Sequence, residues 1–481
     1  MRRNIKAIIL ICMAISVSGL VGCNNANQSQ NHSTRKSPAI EQREGGNVLD
    51  RYQPIPYVKL DHPEWSRNAV LYQINIRQYS REGTFAAVER DLPRLQALGV
   101  DILWLMPIHP IGEEKRKGSL GSYYAVKDYY GVNPEFGNLA DLKSLVSAAH
   151  QRGMHVILDW VANHTAWDNS LVKEHPEWYV HDWKGDFRPT LWFDWSDIID
   201  LDYTKPELRE YMTGAMKYWV AEAGIDGFRC DVAGFVPLDF WENVRAELDA
   251  IKPVFMLAEY EGRDAHARAF DATYAWSFSN ILRSVANGKA DVGAFSGYYS
   301  ENQGVWPNDA YRMTYTTNHD VNSWDGTDSE LYGAAKDIAS ALTFISEGIP
   351  LIYNGQEAGL DKRLAFFEKD PIEWRKSPKA ALYKKLIETK HNTKALWNGA
   401  AGARMIPVVN SAPKEVLSFV RFGSADGIFA IFNFSPKTTT ISFSGILHHG
   451  EYHEIFTGEA ISFRDDTALT LDPWAFKVYK K

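Results

Sequence analysis

From Val70 onward, short apolar runs alternate with amphipathic stretches. Val70-Leu71-Tyr72-Gln73-Ile74 reads as a first strand, and a helical pattern follows from Thr84 to Leu98, stopped by Gly99. Ile102 to Met106 is a second strand ended by Pro107. A helix over Asn138 to Arg152 closes at Gly153, and His155 to Asp159 is a third strand. The alternation then pauses: from His164 to about Leu201 the chain is irregular and rich in Trp, Asp, Pro and Gly. Helix resumes over Pro206 to Ala223, before Gly224. Gly227 to Asp231 and Val254 to Ala258 are the fourth and fifth strands, Ala272 to Tyr274 a short sixth, and Arg312 to Thr316 the seventh. A helix over Leu331 to Ile345 leads into the eighth, Ile349 to Tyr353.

Eight strand–helix units predict an α/β fold: a closed (β/α)8 TIM barrel over residues 51–394, with a loop domain inserted after strand three at about 164–202. After Leu396 the pattern changes. Val416 to Arg421, Ile428 to Phe434, Thr438 to Phe443, Glu451 to Ile455 and Phe476 to Tyr479 read as strands between turn residues, predicting a C-terminal all-β sandwich over 395–481. A chain of 481 residues is long enough for both.

The first residues read as a processing segment. Arg2 and Arg3 precede an apolar stretch from Ala7 to Ile15, too short to span a bilayer, and Leu20-Val21-Gly22-Cys23 resembles the lipobox of bacterial lipoproteins. This predicts a signal peptide over 1–22, lipidation of Cys23, a polar tether over 23–50, and an exported lipoprotein anchored to a membrane. An ordinary signal peptide with an incidental cysteine is the alternative. Cys12 falls in the signal and Cys23 would carry lipid, so only Cys230 remains in the mature body, without an internal disulfide partner. Flanked by Arg229 and Asp231 on a strand, Cys230 should point away from both, as a small apolar core residue. A net charge of −8 and the lack of a dense Lys/Arg run exclude a nucleic-acid face. A large core accounts for most of the 16 Trp, 23 Tyr and 23 Phe; the sharper reading is that some line a groove, because flat rings pack on the apolar faces of sugars.

Carboxylates carry the candidate chemistry. Asp159, Asp231, Glu259 and Asp320 each follow a predicted strand, and catalytic groups of such barrels sit at the C-terminal strand ends. Two carboxyl groups suffice to cleave a glycosidic bond.

Asp159-Trp160-Val161-Ala162-Asn163-His164, Asp200-Leu201-Asp202, Gly227-Phe228-Arg229-Cys230-Asp231, Ala258-Glu259 and Asn318-His319-Asp320, with Tyr123-Tyr124 upstream, resemble the signature motifs of the α-amylase family of glycoside hydrolases, family 13. The resemblance covers roughly residues 65–480. It implies that Asp231 is the nucleophile, Glu259 the acid and base, and Asp320 a ligand of the sugar hydroxyls. His164 and His319 would donate to the same sugar, Tyr124 would stack beneath it, and Arg229 would keep Asp231 ionised. The apolar run before Glu259 suits a raised pKa there. The implied substrates are starch-like α-glucans or maltooligosaccharides cleaved at α-1,4 bonds; α-1,6 cleavage, glycosyl transfer, or non-catalytic glucan binding at a surface are the alternatives. Asn163 and Asp200 match positions that in many relatives hold a structural Ca²⁺, which remains open here. Gly234-Phe235 stands where the family often has Lys-His, removing a contact on the leaving-group side.

Overall fold

The computed structural model describes residues 59–481. The signal peptide, Cys23, the tether and the expected start of order near Tyr52 lie outside the described residues. The strands follow the chain as β1 (Leu71–Ile74), β2 (Ile102–Leu105), β3 (His155–Trp160), the pair β4 (His164–Ala166) and β5 (Ile198–Asp200), then β6 (Gly227–Cys230), β7 (Phe255–Ala258), β8 (Ala272–Tyr274), β9 (Tyr311–Thr314) and β10 (Ile349–Tyr353). Eight of these close a parallel barrel in the order β1-β10-β9-β8-β7-β6-β3-β2. All eight correspond to the predicted strands, including the short sixth. The antiparallel hairpin β4–β5 grows from the rim after β3.

Local chemistry explains the main helix boundaries. Thr84 caps Phe85–Leu98 by accepting from the Ala87 amide, and Gly99, at φ +99°, ends it. Asn138 and Asp141 form a reciprocal capping box on Leu139–His150. The single helix expected over Leu331–Ile345 is instead two, Asp328–Tyr332 and Lys336–Ile345. They part at Gly333, whose φ of 54° and ψ of −126° suit only glycine.

After the barrel come a six-stranded and a three-stranded sheet. They share one apolar core, in which Val420, Phe429 and Ile431 of the larger sheet meet Ile441, Phe443 and Leu471 of the smaller. Four strands escape the sequence pattern: Ile406–Pro407, Val409–Asn410, Ala460–Phe463 and Ala468–Leu471. None buries more than one residue, so none shows the alternation of a half-buried strand. Buried Arg421 joins this domain to the barrel. Its guanidinium donates to the carbonyls of Ile345 and Ser346 at a helix C-terminus, and of Trp397 and Ala403, at 2.7–3.3 Å.

At the N-terminal end of the barrel, Asp101, Asp226 and Asp271 stand immediately before β2, β6 and β8, alternate strands of the closed sheet. Each accepts the amide of a residue on or leading into the preceding barrel strand, Val70, Val156 and Met256 respectively, at 2.8 Å. Each also pairs with a histidine: His391 at 2.9 Å, His150 at 2.7 Å and His62 at 2.7 Å. These aspartates fasten neighbouring strands where no chemistry is needed. Burial alone would raise the Asp226 carboxyl, but His150 and the Lys252 ammonium at 2.9 Å hold it well below the usual range. Its contribution to stability is therefore fully present above the unfolded-state pKa of about 3.9 and is lost as pH falls below it. Asp226→Asn should cost about 1–3 kcal/mol at pH 7. In thermal unfolding the gap from the parent should narrow below about pH 4; a constant gap would contradict the assignment.

Candidate active site

Arg229 lies fully buried on β6, facing the barrel interior. It is the Cα partner of Asp159 on β3 and Leu257 on β7. Its guanidinium reaches three carboxylates: Asp159 at 2.6 Å, Asp231 at 2.9 Å and Glu259 at 2.9 Å. Asp159 and Asp231 both accept from Nη1, Nε donates to the Tyr274 hydroxyl at 3.2 Å, and Glu259 stands beside Nη2 as an ion pair without a hydrogen bond from it. Cys230 between them is buried in the outer core, as alternation predicts.

The Glu259 carboxylate accepts from the Val232 amide at 2.7 Å. Val232 holds φ +35°, a left-handed conformation that is costly for a β-branched residue, directly after Asp231. The chain turns there from the strand into a short 3-10 turn over Ala233–Phe235. The strained turn thus aims a fixed N–H at the second acid.

On the far side, Gln73 of β1 orients His319. Gln73 Oε1 accepts from the His319 backbone amide at 3.2 Å, so its Nε2 donates to Nδ1 at 2.6 Å. The imidazole proton is thereby assigned to Nε2, which faces Tyr124 Oη at 2.7 Å and Asp320 at 3.3 Å. Tyr124 donates on to Asp159, which also accepts from the Trp104 indole, both at 3.0 Å. One polar chain therefore runs from Gln73 through His319, Tyr124 and Asp159 to Arg229. His164 is buried at the foot of β4 and accepts from the Asn163 amide at 3.2 Å. Burial lowers His319 to about 3 and His164 to about 4, so both rings are neutral near pH 7.

The structure thus brings Tyr124, Arg229, Asp231, Glu259, His319 and Asp320 together, with His164 beside them. Sequence reasoning missed Gln73, Trp104 and Tyr274. A polar or amphipathic residue within an otherwise apolar strand was the available signal.

The opposite electrostatic settings expected for Asp231 and Glu259 are not what the geometry gives, because Arg229 reaches both acids. Burial raises Asp231 above the usual carboxylate range; Arg229 opposes the shift, while Glu259 and Asp159 add to it. Burial likewise raises Asp159 to about 6 against the pull of Arg229. One cation is thus shared by three carboxylates.

Asn163 and Asp200 meet at the root of the β4–β5 hairpin. The Asn163 amide nitrogen faces three acceptors, His164 Nδ1, Thr190 Oγ1 and Asp200 Oδ1, at 3.2–3.3 Å. Asp200 also accepts from Thr190, and the Arg188 guanidinium lies 3.8 Å from its other oxygen. A calcium site needs several converging oxygens. Here a donor and a cation face the single carboxylate, so these residues do not fit Ca²⁺. Among the described residues, potential metal ligands gather at His150, His155 and Asp226, at the other end of the barrel, where Lys252 already supplies the positive charge.

A family model described as the α-amylase catalytic domain matches residues 66–399, and one for the α-amylase C-terminal all-β domain matches 408–475. The chain belongs to the α-amylase family of glycoside hydrolases. Its fold resembles an α-amylase from Lactobacillus plantarum, with TM-score 0.78 and 34% identity over 87% of this chain and 99% of that one. It also resembles the noncanonic maltogenic α-amylase AmyB of Thermotoga neapolitana, with TM-score 0.76 and 31% identity over 87% and 97%. The α-amylase MalA of Haloarcula japonica is 27% identical over 439 residues, covering 85% of this chain and 62% of that longer protein.

In this family member the Asp320 side chain is 43% accessible. The surrounding walls still raise its carboxyl to about 6 by desolvation, with Arg229 opposing and Asp325 adding. A folded pKa above the unfolded value means that stability falls as pH rises from about 4 to 6, and the cost persists above that window. Asp320→Asn should therefore raise the melting temperature at pH 8, with the difference closing below about pH 4. A lower melting temperature at pH 8 would count against this reading.

Proposed function

We propose that this protein hydrolyses α-1,4-glucosidic bonds of starch-like α-glucans or maltooligosaccharides with retention of the anomeric configuration. The observation that carries the proposal is the single guanidinium shared by Asp231 and Glu259. Two carboxyls each within 2.9 Å of adjacent nitrogens of one planar group favour the short separation of a retaining pair, about 5–5.5 Å, over the wider inverting gap of about 6.5–9.5 Å. Asp231 attacks the anomeric carbon while Glu259 gives its proton to the departing oxygen. A glycosyl–Asp231 ester forms, and Glu259 then takes a proton from the water that cleaves it. Asp320 and the Nε2–H of His319 engage the hydroxyls of the sugar under attack, His164 flanks it, and Tyr124 lies beneath it. The maltogenic α-amylase among the similar structures supports an α-glucan substrate.

Glycosyl transfer is a second reading, favoured by one observation. Beyond Glu259, a cavity of about 330 Å³ is lined by Gly234, Phe235, Trp241 and Tyr260. Tyr260 lies so close to Gly234 that a Cβ there would approach its ring to 2.6 Å. An apolar, aromatic surface on the leaving-group side suits an acceptor sugar better than it suits a held water. Relatives include an α-1,4-glucan:maltose-1-phosphate maltosyltransferase of Pseudomonas aeruginosa, 32% identical over 330 residues, which cover 62% of this chain and 48% of that protein.

The Leu20-Val21-Gly22-Cys23 run supports an exported, membrane-anchored lipoprotein. Cys23→Ser should move the protein from the detergent phase to the aqueous phase on Triton X-114 partition; unchanged partition removes the anchor.

Asp231→Asn should lower kcat on maltooligosaccharides by about 10⁴-fold or more, and Glu259→Gln by about 10²–10⁴-fold. NMR of early products should show the α-anomer, and initial β-anomer would sink the retaining mechanism. With maltotriose alone, products longer than the substrate would reveal transfer.

A further inference from the structure

The segment 112–121, between β2 and Tyr124, crosses the C-terminal rim of the barrel as a strap. On one side it is tied to the β4–β5 insertion. Lys117 donates to the Asp194 carbonyl and lies 3.5 Å from the Asp197 carboxylate, and the Glu113 amide donates to Asp168 at 3.0 Å. On the other side it is tied to the loop after β10. The Ser119 amide donates to Glu368 at 2.8 Å, its hydroxyl to the same carboxylate, and the Leu120 amide to the Phe367 carbonyl at 3.2 Å. From below, buried Arg77 donates to the Leu120 and Gly121 carbonyls at 3.2 and 3.0 Å. The strap is therefore fixed at both ends and in the middle.

Its position relative to the chemistry follows from the barrel order. Glu259 extends from β7 and Asp231 from β6, and the cavity beyond Glu259 belongs to the same sector. The leaving group departs on the side of its proton donor, over β6 and β7. The sector diametrically opposite in the closed sheet is β1 and β10. The glycone portion of the substrate extends that way, past Tyr124. There the Tyr124 ring is followed by Phe366, with centroids 6.3 Å apart and planes 16° apart, and Trp324 packs on Phe366 at 5.3 Å. Phe367, to which the strap is tied, packs on both Phe366 and Trp324, with ring centroids 5.1 and 5.8 Å apart, so the strap stands as a wall next to these rings.

We infer that the strap closes the glycone end of the groove, so that the enzyme cuts short fragments from the non-reducing ends of α-glucan chains and does not cut within them. A chain entering the groove must end at the wall. Its last sugars can stack on Tyr124, Phe366 and Trp324, and a longer glycone meets the ties between 117–120, 194–197 and 367–368. The inference rests on the α-1,4 reading above.

The test compares p-nitrophenyl α-maltoheptaoside with a free non-reducing end and the same compound blocked there by a 4,6-benzylidene group, with products read by mass spectrometry. The parent protein should cleave the blocked compound at least about tenfold more slowly, the discrimination expected when extra atoms are forced into a walled site. The exposed ties can be cut by Lys117→Ala combined with Glu368→Ala, which should leave free-end cleavage active and raise the blocked-to-free rate ratio. Equal cleavage of both compounds by the parent overturns the strap and leaves the α-1,4 reading standing. Cleavage of neither overturns both. Discrimination that the double variant does not relax overturns the assignment of the restriction to this segment.

Discussion

The site depends on one desolvated cation. Arg229 is sealed inside the barrel, where an unpaired guanidinium would cost several kcal/mol. Its three carboxylate partners come from three adjacent strands, so the charge is compensated only when β3, β6 and β7 stand in their observed register. A slip of one residue would turn Arg229 into the outer apolar layer, where Cys230 now sits. The interaction that assembles the acids also fixes the strands. It leaves the acids short of positive charge, since three share one cation and Asp320 lies beyond them with a carboxyl raised to about 6. That deficit suits a reaction in which positive charge develops on the sugar ring.

The two ends of the barrel divide the work. At the N-terminal end, each aspartate meets at least one histidine, Asp226 and Asp271 also meet a lysine and an arginine, and all three tie neighbouring strands together. At the C-terminal end, carboxylates outnumber cations, Val232 is strained, and two buried histidines are neutral. The separation follows the general asymmetry of such barrels, in which one rim carries stability and the other chemistry. It lets the reactive rim hold unfavourable charge without loosening the fold.

Much of this was legible in the sequence. Strands buried on both faces read as apolar runs, so the barrel strands were legible, with the three residues of Ala272–Tyr274 leaving the weakest trace. Asp231 and Glu259 were legible because each stands directly after a strand, and Asp320 because it closes the Asn318-His319-Asp320 motif a few residues beyond one. Three kinds of feature were not. Gln73 and Trp104 lie within strand runs, and only the closed barrel reveals that they face His319 and Asp159. The sharing of Arg229 depends on distances between strands that no spacing along the chain encodes. The minor sheet strands bury too little to leave a period, and the helix break at Gly333 looks in sequence like any tolerated glycine.

Arg421 belongs to the terminal sheets, yet all of its hydrogen-bonded carbonyls lie before those sheets begin. Nearby, the Lys390 ammonium is equally buried and is likewise held by neutral oxygens, the Leu396 carbonyl and the Asn398 side chain. Two cations satisfied only by dipoles form a joint that water would dissolve on entry, since each would recover its full hydration there. The seam between the two domains is therefore an all-or-none element. Partial separation gains little until solvent floods it, so barrel and sheets should melt as one cooperative body, and the terminal domain behaves as the last turn of the barrel rather than as an appendage.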